Sequence, residues 1–232
     1  MTTHYADDSK DFPIDIENYY KDELMANESK IDLACSLIDK SILSHKIKSN
    51  WFSFDMWYAT PKIIRKIESH NKYFVSQLKQ NRIVIYQNQR MKVNGLVTVA
   101  SALSADDDEC ADLGKCHVQK LGYYRLIIKD KKCFATNNFE AKPIEVIRHY
   151  QHRWAIDDFY KQAKDNISFD QFQVRKGLSI IRHWMLVFLT HAFYLHCKLK
   201  GVLSKVYNGT INTLSKFTKI MQNLNLIRAT NE

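Results

Sequence analysis

The chain has no long hydrophobic run, no cysteine framework, no internal repeat and no low-complexity linker. Its longest apolar stretch, Trp184 to Cys197, is interrupted by Thr190, His191 and His196; it is too short and too polar for a membrane span and reads as a buried helix. The first residues, Met1 to Lys10, are polar, so no signal peptide is read there. Five cysteines, at 35, 110, 116, 133 and 197, are an odd number without framework spacing, which fits reduced thiols in a cytoplasmic protein. Cys110-x5-Cys116-His117 does not have the spacing of a zinc knuckle and no fourth ligand accompanies it, so no zinc site is read there.

What is present is the composition of a folded, basic protein. In 232 residues, 45% are hydrophobic and 12% aromatic, enough for a core and against disorder. The net charge of +9 favours an acidic partner such as nucleic acid, although charge alone fits a merely basic soluble protein equally well.

Periodicity orders the chain. Phe12 to Ile16 alternates like a short strand, and residues 28–48 place Ile31, Ala34, Leu37, Ile38, Ile42 and Leu43 on one helical face. Trp51 to Phe54 reads as a strand ending at Asp55. Thr60-Pro61 supplies a cap and first turn for a helix with Ile63, Ile64 and Ile67 inside, and Tyr73 to Leu78 is the next strand. This strand–helix–strand run predicts an α/β sheet. From residue 80 to 138 the pattern becomes short strands: Ile83–Tyr86, Met91–Ala100, Cys116–Leu121, Tyr123–Lys129 and Lys132–Thr136, with a tight turn at Asp130-Lys131 and a solvated acidic loop at 106–112. Helices follow at 143–165, 178–200 and 203–225.

The helix at 143–165 carries the chemistry. Pro143 and Glu145 suit its first turn, and at ~100° per residue Tyr150, Arg153, Asp157 and Lys164 fall within roughly 60° of one another. A phenol, a guanidinium, a carboxylate and an ammonium thus share one stripe beside the apolar residues Ile156, Phe159, Tyr160 and Ala163. The carboxylate can hold Mg²⁺ and the other three can hold phosphate, which is equipment for cutting or joining a phosphodiester. Asp158 lies about 100° away and is the poorer ligand. Arg153 and Asp157 could instead simply pair at i,i+4. Asp55, closing an apolar strand, has two readings from position alone: it faces a metal at the carboxyl end of a sheet strand, or it caps the following turn. Arg175 and Lys176, before a turn at Gly177, extend the basic set.

Tyr150-x2-Arg153-x3-Asp157-x6-Lys164 resembles the Y-x2-R-x3-E-x6-K signature of DDE transposases of the IS4-like group, including IS701-type relatives. Phe169 to Arg175 and Arg182-His183-Trp184 are similar to that family too, and Phe54-Asp55-Met-Trp-Tyr58 resembles its F-D-S-W-Y segment around the second catalytic Asp. The resemblance covers roughly residues 10–195. It implies a ribonuclease-H-like α/β core (10–79 and 139–200) interrupted by a β-rich insertion (80–138), with a helical tail at 201–232. It also implies metal-dependent cleavage at transposon ends and strand transfer into target DNA by a cytoplasmic, nucleoid-associated prokaryotic protein, and allows a homodimer on that DNA. By the same resemblance Asp55 and Asp157 are catalytic metal ligands for Mg²⁺ (Mn²⁺ as substitute), and Tyr150, Arg153, Lys164 and Arg175 contact double-stranded DNA. No membrane is involved.

The chain departs from the family in two ways. The family has Glu where this chain has Asp157, which draws the carboxylate back by roughly 1.5 Å, one carbon–carbon bond; metal ligation tolerates only a few tenths of an ångström. Phe12-Pro13-Ile14-Asp15 resembles the strand that follows the family's first catalytic Asp, so the sequence reads as an N-terminally truncated copy with an incomplete two-metal site, an exposed sheet edge and weak or absent catalysis. The alternative is a non-catalytic DNA-binding remnant that interferes with or assists a full-length transposase.

Overall fold

The computed structural model describes residues 1–19, 29–103, 110–201 and 213–229. The chain divides into two compact units, one formed by Tyr19–Arg153 and the other by Met1–Asn18 with Trp154–Glu232. The N-terminal segment is an antiparallel hairpin of β1 (Thr2–Ala6) and β2 (Asp11–Ile16). Its turn is built on Asp7, whose carboxylate accepts the Ser9 and Lys10 N–H groups at 2.8 and 2.9 Å and the Tyr5 hydroxyl at 2.9 Å. A short acidic side chain that satisfies the backbone after it is the usual chemistry of such a turn. The alternation of Phe12 to Ile16 predicts β2, whereas β1 gives no such signal, because its polar residues Thr2, Thr3 and His4 carry no apolar alternation.

The larger unit begins with α1 (Lys30–Asp39), opened by a reciprocal Ser29–Asp32 capping box and continued by a π-helical turn, Lys40–Ser44. β3 (Trp51–Phe54), α2 (Pro61–Ser69) and β4 (Tyr73–Gln77) form a strand–helix–parallel strand unit. Ile63, Ile64 and Ile67 of α2 are essentially fully buried, as their helical spacing predicts. Asp39 ties α1 to α2, accepting from Lys66 at 2.8 Å and meeting His70 at 2.6 Å. Burial alone would raise the Asp39 carboxyl, but these two partners outweigh it and hold it below its ordinary value.

Beyond β4 come β5 (Ile83–Tyr86), β6 (Gln89–Lys92), α3 (Val93–Leu103), β7 (Ala111–Val118), β8 (Gly122–Lys129) and β9 (Lys132–Thr136). Among the described residues one seven-stranded mixed sheet runs in the order β3-β4-β9-β8-β7-β5-β6, with β3 and β6 at its edges. Asp130 and Lys131 link β8 to β9 with φ of 50° and 58°, and Gln87 and Asn88 link β5 to β6 with 47° and 61°. Two consecutive left-handed residues give the turn whose twist matches an antiparallel pair. The expected strand at Met91–Ala100 is mostly α3. Val93, Leu96, Val97 and Ala100 are all buried, an i, i+3, i+4, i+7 set that makes a helical stripe despite the β-branched residues.

The expected single helix at 143–165 is two. α4 (Pro143–Gln151) closes the larger unit, and the Arg153 N–H bonds the Tyr150 carbonyl at 3.0 Å in a tight turn. α5 (Trp154–Ile167) belongs to the other unit, with α6 (Gly177–Lys200) and α7 (Leu214–Ala229). Each half has its own core: Val146, Ile147 and Tyr150 pack with Val75, Ile127 and Phe134, while Phe159 and Ala163 pack with Ile16, Phe169, Val187 and Phe188. Gly201, at φ 60°, ends α6 in the left-handed conformation that glycine adopts without strain. α6 is less buried than expected. Val187, Phe188, His191 and Tyr194 face inward, but Leu178, Leu186, Leu189 and Phe193 are exposed. By length and composition alone α6 could cross a membrane, a test that core helices also pass. The acidic positions 106–109 and the start of the expected tail helix, 203–212, lie outside the described residues.

The mixed α/β architecture with a helical C-terminal part is the one the sequence predicts, and it is consistent with a ribonuclease-H-like core.

Candidate functional site

In a parallel strand pair the side chains that follow the carboxyl ends emerge together at one rim of the sheet. Asp55 follows β3 there, and Lys79 lies two residues beyond β4. Asp55 also opens a turn: its carbonyl accepts the Tyr58 N–H at 2.9 Å, and its carboxylate lies 3.4 Å from the Trp57 backbone nitrogen. Turn-capping and presentation at the sheet rim therefore coexist in one residue. Burial, and after it the Asp55 charge, raise the Tyr58 phenol above its ordinary value.

The C-terminal end of α4 is tied to β3 two residues before Asp55. The Ser53 hydroxyl donates to the His149 carbonyl at 2.6 Å, and the Trp51 and His149 rings stack at 4.5 Å. Next on the helix, Tyr150 is 7% exposed, packs edge-to-face on Phe134 at 4.8 Å and directs its hydroxyl to Gln77 Oε1 at 3.4 Å. The Arg153 guanidinium sits 5.6 Å from the Tyr150 ring centroid, within cation–π range. Asp55, Tyr150 and Arg153 are thus built into one unit, with Tyr150 serving as a packed base for Arg153.

Asp157, Lys164 and Arg175 belong to the other unit. Asp157 and Lys164 stand two turns apart on the exposed side of α5, with Phe159 and Ala163 buried on the other. The acidic residue is in the first turn and the basic one in the last, the arrangement the helix dipole favours. Arg175 is exposed on the segment leading into α6.

Carboxylate oxygens are the donors that Mg²⁺ and Mn²⁺ prefer. Among the described residues, however, no three or more His, Cys, Asp or Glu side chains are grouped to hold a metal ion. Two further residues at the sheet rim escaped the sequence reading. Trp57 is 70% exposed, and the Lys79 ammonium lies 3.4 Å from its ring centroid. Trp57 stood inside the Phe54–Tyr58 segment, but nothing local to it signals Lys79, which the strand pairing delivers.

The family model described as transposase DDE domain matches residues 23–193, most of the chain. No curated protein matches it. The match spans Asp55, Tyr150, Arg153, Asp157, Lys164 and Arg175 alike, and with the α/β architecture it decides the assignment. The chain belongs to the transposase DDE domain family, of the IS4-like kind.

Proposed function

We propose that this chain acts in DNA transposition by cutting at transposon ends and transferring the cut strand to target DNA, with weak activity of its own. Family membership carries this reading, and the placement of Asp55 at the carboxyl rim of β3–β4 supports it. In the first step a water attacks the end phosphodiester, forming one P–O bond and releasing a 3′-hydroxyl. In the second that 3′-oxygen attacks a target phosphodiester and expels a target 3′-oxygen, so each step forms one P–O bond and breaks one. DDE transposases generally use a divalent metal such as Mg²⁺, which supplies Lewis acidity to phosphate oxygens.

In this reading Asp55 and Asp157 are the catalytic carboxylates that the chain contributes. Arg153 forks onto phosphate, Lys164 and Arg175 add point charges, and Tyr150 holds Arg153 and offers its hydroxyl. Residues 10–79 and 139–200 serve as the catalytic core around an insertion at 80–138, with 201–232 a tail. The partners are transposon-end and target duplexes, and a second copy of the chain on them, in a cytoplasmic, nucleoid-associated setting. The shortened Asp157 supports weak activity.

The +9 charge, with Asp157 where the family has Glu, favours a second reading: a non-catalytic DNA-binding remnant that assists or interferes with a full-length transposase. A cleavage assay on a transposon-end duplex with Mg²⁺ or Mn²⁺ separates the two. The first reading expects slow cutting that Asp55→Ala abolishes. The second expects no cutting and salt-sensitive binding that Asp55→Ala leaves intact.

A further inference from the structure

We propose that Trp57, with Lys79, is a stacking platform for an unpaired base of the DNA strand beside Asp55. The inference rests on the transposase reading and adds to it a binding residue and the kind of DNA end it takes.

Trp57 is the most exposed large hydrophobic side chain among the described residues, at 70%. An indole left in water contributes little to folding, and elsewhere in this chain the aromatic rings are largely packed on one another. Its backbone is nevertheless held firmly. The turn from Asp55 to Tyr58 is closed at 2.9 Å, the following Ala59 is buried, and the Ala59 carbonyl accepts the Arg82 guanidinium at 3.0 Å. A rigid backbone presenting an uncovered aromatic ring loses little entropy when something stacks on it.

The charges around the ring choose the ligand. The Asp55 carboxylate, 3.4 Å from the Trp57 backbone nitrogen, makes the turn that carries the ring unfavourable for a phosphate. A base is neutral and flat, and meets no such penalty. Lys79 takes one face of the ring at 3.4 Å, and the high exposure leaves the other open. From there the ammonium can turn to the phosphate flanking the stacked base, so that ring and cation hold base and backbone of one nucleotide. Where a strand end frays beside the reacting carboxylate, a stacking platform offsets the lost base stacking.

The test compares the full chain's binding to a blunt duplex and to the same duplex with a short single-stranded overhang. The wild type is expected to favour the overhang, and Trp57→Ala to lose that preference by roughly tenfold. Trp57→Phe restores part of it, and an overhang of abasic sites behaves as blunt. Independently of any variant, 2-aminopurine at the first unpaired position is expected to be quenched on binding the wild type. No overhang preference, or Trp57→Ala weakening both DNAs equally, overturns the inference. If blunt-duplex binding and Asp55-dependent cutting persist in that case, the transposase reading stands without it. If the wild type binds neither DNA, both fall.

Discussion

The guanidinium of Arg125 grips the carboxylate of Asp112, with Nη2 2.6 Å from Oδ2 and Nε 3.2 Å from both oxygens. Arg125 is 6% exposed, and its remaining nitrogen donates to the Ala141 and Asn138 carbonyls at 2.6 and 3.3 Å. One buried cation thus joins β7 and β8 to the loop that launches α4. Burial pushes the Asp112 carboxyl up, and the Arg125 hydrogen bonds more than reverse it. Arg125→Met is expected to cost about 3 kcal/mol, because it strands a carboxylate and two carbonyls. Urea denaturation of the full chain measures it; a loss under about 0.5 kcal/mol means that the grip is dispensable.

Lengthening the carboxylate at 157 tests whether its reach limits catalysis. Asp157→Glu restores the missing methylene on an exposed helix face, where stability is expected to stay within about 0.5 kcal/mol. Cleavage of end DNA is expected to rise by roughly tenfold or more, on the scale at which misplaced ligand shells cost metal sites. An unchanged or lower rate locates the weakness elsewhere.

Phosphate contacts announce themselves through salt. Arg153→Ala, Lys164→Ala and Arg175→Ala are each expected to reduce the slope of log affinity against log salt by about 1, without altering preference among duplex sequences. A variant whose slope matches the wild type has lost only a solvated surface charge.

Acid should loosen the smaller unit. His191 is 3% exposed and meets Phe159 edge-on at 4.9 Å; Phe159 in turn meets His4 at 5.3 Å. Burial pushes His191 down to about 4 from 6.5, with the Asp11 charge opposing and His4 adding to the fall. Asp11 itself is held low, first by His4, whose Nε2 lies 3.7 Å from Asp11 Oδ2, and also by the nearby charges of His191 and Lys198. The folded His191 takes up a proton less readily than the unfolded one, so its contribution is complete above pH 6.5 and is lost as pH falls toward 4, about 3 kcal/mol in all. Thermal melts between pH 7 and 4 should show this slope, and His191→Phe should flatten it.

Much of the frame was legible because local and tertiary signals agreed. Trp51–Phe54 and Ile83–Tyr86 are strands as read, and Asp130-Lys131 is the tight turn expected between β8 and β9. Where the signals competed, the reading failed. Val93 and Val97 suggested a strand, while the spacing of Val93, Leu96, Val97 and Ala100 was helical, and burial followed the spacing. The break at His152-Arg153 left no trace, since the apolar period runs on across it and only the two separate cores reveal it. The signature residues could be picked out by spacing, but that Tyr150 is a packed support could not. Its burial depends on Phe134 and Gln77, which reach it only through the sheet.

The smaller unit draws on segments far apart in the chain. Ile16 of β2 shares a core with Phe159, Phe169, Val187 and Phe188, all more than a hundred residues later. At ribosomal rates of about 5–20 residues per second, the interval between making Ile16 and making Phe159 is roughly 7 to 30 s. Throughout that interval the hairpin exists without the helices that cover it, while the larger unit can complete its sheet. The order of synthesis therefore makes the β1–β2 hairpin the segment most in need of chaperone protection in a nascent chain.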